Sequence, residues 1–177
     1  MGMQAVADAL ARLEKVLRRK PEAGLSADAP ARARWAGPHN ALRVACRHPA
    51  GHEVLTDMPA ELGGTGDQVS PGWLYRAGMA ACATTSIAML AAAEGVALAR
   101  LEVEASSVSD ARGLVRLHDE RGVAVDPAPL DQALRVRIAA DGATHAQLQS
   151  LVQRALQRSP IPRAAMAAGL SVDVEAA

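Results

Sequence analysis

The stretch from Ala77 to Ala93 carries no charged residue on any face of a helix, and no other feature constrains the fold as much. It lies within a segment that has its own start and stop. Ser70-Pro71 sets a capping hydroxyl before a proline at the first helical position. Gly95 stands where a helix can end in the left-handed conformation. The segment therefore predicts a helix from Pro71 to about Glu94. A helix that is apolar all round must be covered on all sides, so this one is expected to be central. Its uncharged part is Ala-rich and shorter than a membrane span, so no membrane association is expected.

Around this helix the pattern alternates between short strands and loops. Residues 3–19 place Val6, Leu10, Leu13, Val16 and Leu17 at helical spacing against a charged opposite face. The Ala-, Gly- and Pro-rich run 21–30 reads as a linker, so residues 1–30 form a helix and linker ahead of a domain at 31–177. In Ala41–His48, Leu42, Val44, Cys46 and His48 alternate with Arg43 and Arg47, which predicts a strand with the first set packed inward. A turn at Pro49-Ala50-Gly51 and a return over Glu53–Asp57 complete a hairpin. The glycines at 63, 64 and 66 mark a loop without the spacing of a phosphate-binding motif.

Downstream, Leu101, Val103 and Ala105 predict a half-exposed strand, with 113–118 as its expected partner. Glu102 and Glu104, on its other face, read as solvated charges. Leu134, Val136 and Ile138 predict another strand. Leu148, Leu151, Val152 and Ala155 predict a second long helix starting near Asp141 or Thr144 and closed by Ser159-Pro160. Leu170, Val172 and Val174 make a last strand. Strand clusters separated by two helices, with hairpin-like connections, indicate an α+β fold with antiparallel pairing.

Composition narrows the function. The 177 residues are 50% hydrophobic, 2% aromatic and formally uncharged overall. Without a basic run or stacking aromatics, nucleic acid is not an expected partner. The charged residues scattered through 1–20 do not make a signal peptide. Two cysteines form no disulfide framework, so a reducing cytoplasm is expected.

Cys82 is the first chemical candidate. It shares a helical face with Gly78, Thr85 or Ser86, and Met89. It can be a small core hydrophobe or, as a thiolate, a nucleophile. It sits several turns from the helix start, so the helix dipole reaches it weakly and activation requires a cation from elsewhere. Cys46, His48 and His52 offer a thiolate and two imidazoles, but their spacing matches no strong zinc pattern, so neither metal nor cofactor is expected. His39, His118 and His145 stand alone in polar surroundings.

Taken in order, several motifs resemble the OsmC/Ohr family (osmotically inducible and organic hydroperoxide resistance proteins). They are Ala33-Arg34-Trp35-Ala36-Gly37, Met58-Pro59-Ala60-Glu61-Leu62-Gly63-Gly64, Ser70-Pro71-Gly72-Trp73-Leu74 and Ala77-Gly78-Met79-Ala80-Ala81-Cys82, with Leu101-Glu102-Val103 and Ser159-Pro160-Ile161-Pro162 further on. The resemblance covers about residues 31–177. It implies an intertwined homodimer, with antiparallel sheets wrapped around two long central helices. It also implies a thiol peroxidase acting on organic hydroperoxides or hydrogen peroxide, with Cys82 as the attacking thiol and dithiols as reductant.

Three positions depart from the family pattern. Ser159 stands where a second, resolving cysteine is expected, directly before Pro160. Gly72 replaces a glutamate after the helix-start proline, and Pro38-His39 replace the activating arginine. Arg34, Arg43, Arg47 and Arg76 are the possible substitutes. Two readings follow: a one-cysteine peroxidase resolved by an external thiol, or by Cys46 if it is near, or a dimer that binds a small apolar ligand in a cleft without redox chemistry. Trp73, Tyr75, Met79 and Met89 are the candidate cleft lining.

Overall fold

Local chemistry sets both ends of the central helix. In the computed structural model, which describes residues 2–167 and 169–176, α2 runs over Pro71–Ala93. The Ser70 hydroxyl accepts from the Trp73 backbone N–H at 3.1 Å, with Pro71 behind it as a residue that needs no partner for its nitrogen. At the far end Val96 N–H donates to Ala91 O at 2.9 Å and Gly95 N–H to Ala92 O at 3.2 Å. Gly95 is at φ +68°, so this is a Schellman ending in which glycine supplies the left-handed turn.

The expectation that α2 is covered on all sides does not hold within the chain. Met79, Ala83, Ile87 and Ala91, four apart, are fully buried, whereas Trp73, Tyr75 and Met89 are exposed. One stripe packs on the neighbouring sheet and helix, while Tyr75 and Met89, together on another side of the helix, keep solvent exposure. At 23 residues and a mean hydropathy of 1.2 over its most apolar window, α2 also matches a membrane span by length and composition, which the uncharged run 77–93 alone did not reach. Its buried stripe behaves as a core helix does.

The chain divides into two compact units, Glu14–Tyr75 and Met1–Leu13 with Arg76–Ala177. Helix α1, Met3–Arg19, follows the predicted apolar spacing and has no buried residue. The first unit contains β1 (Arg32–Trp35), β2 (Val44–Arg47) and β3 (Glu53–Thr56), antiparallel in the order β1-β2-β3. The hairpin is as expected, but the covered face is the opposite one. Ala45 is buried, Val44 and Cys46 are half-buried, and Leu42 and His48 are exposed. Ala45 stands opposite Arg34 on β1 and Leu55 on β3. Cys46 stands opposite Ala33 on β1 and Val54 on β3.

The loop after β3 needs glycine at position 64. A Cβ there would lie 1.8 Å from the Met58 carbonyl oxygen and 2.8 Å from Asp57 Oδ1. Backbone cannot yield as a side chain can, so Gly64→Ala opens this loop.

The second unit contains β4 (Leu98–Val108), β5 (Leu130–Ala140) and β6 (Ser171–Ala176), in that order. β4 and β5 pair antiparallel, which corrects the expected partner of β4. Residues 113–118 instead begin in a short helical turn, α3 (Ala111–Leu114), capped by Asp110, and His118 at their end bridges to Ala124. Gly113 lies so close to Pro127 that a Cβ would come within 2.7 Å of it. β6 pairs parallel to β5, against the expectation of antiparallel pairing throughout. A parallel neighbour needs a crossover, here α4 (His145–Leu156) and α5 (Pro160–Met166).

α4 begins with a capping box between Thr144 and Gln147 and is only 12 residues long. It ends before Ser159, and Pro160 opens α5 at its first position instead of simply closing the preceding helix. The core combines the α2 stripe with Leu134, Val136 and Ile138 of β5 and Leu148, Leu151, Val152 and Leu156 of α4. This is an α+β fold. Ile87 is fully buried at its centre. Ile87→Ala is expected to cost about 2–5 kcal/mol, read as a lower urea midpoint at unchanged slope.

Candidate functional site

Cys82 lies at the start of the fourth turn of α2, half-buried, one residue before the buried Ala83. Its neighbour comes from the α4–α5 junction. Proline at 160 disfavours helical backbone at the residue before it, and Ser159 is extended at φ −83°, ψ 117°. Its carbonyl still accepts from Arg163 N–H at 2.9 Å, but its hydroxyl does not cap α5. The hydroxyl is turned to Cys82 instead, with Oγ 3.2 Å from Sγ. Ser159 has no solvent exposure. Within this unit Ser159 is the one polar side chain hydrogen-bonded to Cys82 among the described residues.

The chemistry of this pair depends on the state of the sulfur. Between a thiol and a hydroxyl, either can donate. A thiolate can only accept, so the serine proton then points at sulfur and the hydroxyl's donor is satisfied. A buried hydroxyl with sulfur as its partner therefore suits the nucleophilic form of Cys82. It cannot suit the second step of a two-cysteine cycle, because oxygen does not form a disulfide.

The four candidate arginines are placed differently. Arg43, just before β2, is held by Asp57 at 3.2 Å, by the Thr65 hydroxyl at 2.8 Å and by Asp67. Arg47 pairs with Glu53 on the facing strand. Arg34 is exposed on β1 opposite Ala45. Arg76 donates to Ser107 Oγ of β4 at 3.3 Å. Six positions along α2 set Arg76 roughly 9 Å from Cys82 along the axis and about a third of a turn around it. Of the predicted cleft residues, Met79 is taken up by the core, while Trp73, Tyr75 and Met89 are exposed.

Cys46, His48 and His52 do not converge. The two imidazole rings are 6.1 Å apart, and His48 Nδ1 accepts from Ala50 N–H at 3.0 Å to tighten the turn. Among the described residues no three His, Cys, Asp or Glu side chains are grouped to hold a metal ion. Glu102 is not simply solvated, since it pairs with Arg100 and Arg137.

One cluster has no counterpart in the sequence reading. Asp57 is buried and accepts from Met58 N–H at 2.8 Å, Thr65 N–H at 3.1 Å, Thr65 Oγ1 at 2.6 Å and Arg43. The Thr65 hydroxyl first, then the backbone donors and Arg43, outweigh burial and hold its carboxyl down at about 2. Thr65 and Arg43 also lower Asp67, while Asp67 and then Asp57 raise Arg43. These bonds tie the glycine loop to β2. Nothing in the order Arg43, Asp57, Thr65, Asp67 marks it beforehand, because each residue is ordinary in a loop.

This cluster has a pH consequence. A folded value below the unfolded one gives stability that is present above the ordinary carboxylate range. It is lost as pH falls from about 4 toward 2. Asp57→Asn is expected to lower stability at neutral pH and flatten that acid limb, as measured by denaturant unfolding at stepped pH.

Comparisons with known proteins agree with this architecture. No curated protein matches the sequence. An organic hydroperoxide resistance protein OsmC from Legionella pneumophila superposes with a TM-score of 0.59 at 20% identity, covering 86% of this chain and 99% of that one. An OsmC-like protein from Mycoplasma pneumoniae gives 0.66 at 12% identity, covering 86% and 98%. An organic hydroperoxide resistance protein from Elizabethkingia anophelis gives 0.60 at 18% identity, covering 87% and 98%. At these identities the likeness shows the fold. The family model described as OsmC-like protein matches residues 64–175, more than half of the chain and including Cys82 and Ser159, and the chain belongs to that family.

Proposed function

We propose that this OsmC-like protein is a one-cysteine, thiol-dependent hydroperoxide reductase working in the reducing cytoplasm, with Cys82 as the peroxidatic residue. The observation that carries the reading is the 3.2 Å contact between Cys82 Sγ and the buried Ser159 hydroxyl. The thiolate attacks the terminal, hydrogen-bearing oxygen of a hydroperoxide, the O–O bond breaks, and the alkoxide leaves and takes a proton from water to become the alcohol. Cys82 is then a sulfenic acid. An external thiol attacks that sulfur, an S–S bond forms and water leaves. A second thiol releases Cys82 by exchange, so two external thiols become one disulfide. No metal or cofactor is required by these steps.

The exposure of Tyr75 and Met89, which share one side of α2, supports a homodimer in which a second copy covers this helix. The same exposure supports the second reading, a dimer that holds a small apolar ligand without turning over peroxide. One assay separates the two. The purified protein is mixed with cumene hydroperoxide and an excess of dithiol, and peroxide loss is followed at neutral pH. Catalytic consumption proportional to protein supports the reductase. Consumption no faster than the dithiol alone leaves the binding protein.

A further inference from the structure

The sheet of the first unit carries a cationic cleft on one face. Arg32 and Arg34, both exposed, follow each other along that face of β1, roughly 7 Å apart. Arg47 of β2 stands directly opposite Arg32, and the buried Ala45 opposite Arg34. The three arginines line a cleft of about 630 Å³ together with Ala45, His48 and Pro49. His48 Nδ1 accepts from Ala50 N–H, so the proton of the neutral ring is on Nε2, which remains a donor.

The charge in this cleft is not balanced. Like charges directly opposite one another on neighbouring strands repel. Glu53 of β3 pairs with Arg47. Among the described residues Arg32 and Arg34 have no carboxylate partner, although the chain as a whole has zero formal net charge. Two positive charges are left over. The other face of the sheet is apolar, with Ala33, Trp35, Val44, Cys46 and Val54 in register, and Trp35 and Val54 are exposed there. Apolar packing, by a second copy or by anything else, uses that face and leaves the arginines on the opposite one.

We infer that this cleft binds a phosphate monoester. A guanidinium presents paired N–H donors that match two oxygens of a phosphate. Arg32 and Arg34 have those donors free, and the ester's charge of about −1.5 to −2 at neutral pH answers the two unbalanced cations. A phosphate seated between Arg32 and Arg47 turns their repulsion into attraction to a shared anion. His48 Nε2 supplies one further donor. The volume of the cleft suits a small organic phosphate.

The test is calorimetric titration of the full-length protein with phenyl phosphate at neutral pH and low salt, with benzenesulfonate as the singly charged control. Saturable binding of phenyl phosphate is expected, about tenfold tighter than that of the sulfonate. Arg32→Gln and Arg34→Gln should each weaken it about tenfold, because each removes a charged hydrogen-bond donor. Both positions are exposed, so the variants should fold as the wild type does. Glu53→Gln should strengthen binding roughly threefold by releasing Arg47 to the ligand. Arg12→Gln, on exposed α1, makes the same change in net charge and should alter binding less than about twofold. Vesicles of phosphatidylcholine with phosphatidic acid separate the sources of the phosphate. Co-sedimentation that Arg34→Gln abolishes assigns the ester to a lipid headgroup, and phenyl phosphate binding without co-sedimentation assigns it to a soluble molecule. Phenyl phosphate bound no better than the sulfonate, or equally by Arg12→Gln and Arg34→Gln, overturns the proposal and leaves the arginines as guards of an exposed edge strand.

Discussion

Ser159→Cys is expected to close a disulfide with Cys82 when the protein is oxidised, and so to restore a two-thiol site. The wild-type oxygen and sulfur are already 3.2 Å apart, and a sulfur at position 159 has longer bonds to Cβ. The gap to a bond of about 2.05 Å is then a matter of small side-chain rotations. Residue 159 is also buried and held by the proline after it, so the new thiol has few other places to point. The two residues are 77 positions apart. Chain entropy alone gives a loop of that length about 4 kcal/mol of stabilisation, less any strain in the native geometry. The oxidised variant should unfold at higher denaturant concentration than the reduced one and show one thiol, from Cys46, under non-reducing conditions. Two cysteines that stay free after hydroperoxide treatment would show that the hydroxyl contact does not mark the place of a resolving thiol.

Cys82→Ser is expected to remove catalysed peroxide reduction altogether, a fall of about a thousandfold or more to the background rate. A hydroxyl is almost never ionised at neutral pH, and an alcohol oxygen cannot be carried through a sulfenic acid. The substitution should leave the fold almost untouched. Serine keeps a polar atom facing Ser159, so the hydrogen bond survives and stability should change by no more than about 1 kcal/mol. Cys46→Ser should retain the activity, because Cys46 lies half-buried on β2 between Ala33 and Val54 and bears no part in the cycle. Peroxide consumption by the three proteins, with unfolding curves alongside, checks both expectations.

How far the sequence revealed this molecule depended on the range of the interactions. The ends of α2 were legible because Ser70, Pro71 and Gly95 act within one turn of themselves. β5 was legible because Leu134, Val136 and Ile138 alternate against Arg135 and Arg137 on a sheet covered on one face. The direction of β6 was not, since strand order and sense depend on where α4 and α5 carry the chain. The face of β2 was misjudged because alternation marks two faces without saying which is covered, and here Ala45 is buried while Val44 and Cys46 are only half-buried. The exposed flank of α2 shows the converse: an uncharged helix states only that it needs cover, and a single chain need not supply all of it.

The site divides in the same way. Cys82 was singled out by its position on the helix, and Ser159 by its position before Pro160, yet the hydrogen bond between them is a tertiary fact that no spacing contains. The cluster of Arg43, Asp57, Thr65 and Asp67 escaped notice for that reason too. The choice among Arg34, Arg43, Arg47 and Arg76 could not be made from the sequence. In the structure Arg43 and Arg47 are engaged by carboxylates and Arg76 by Ser107, and these partners lie between 6 and 31 positions away.

The most direct measurement is the mass of the intact protein after one equivalent of cumene hydroperoxide in the presence of a dione that captures sulfenic acids, followed by mapping of the modified peptide. A single dione adduct on Cys82, with Cys46 unmodified, is the predicted result. A folded protein that emerges with both thiols unchanged would contradict a peroxidatic role for Cys82 and leave the OsmC-like fold to serve binding.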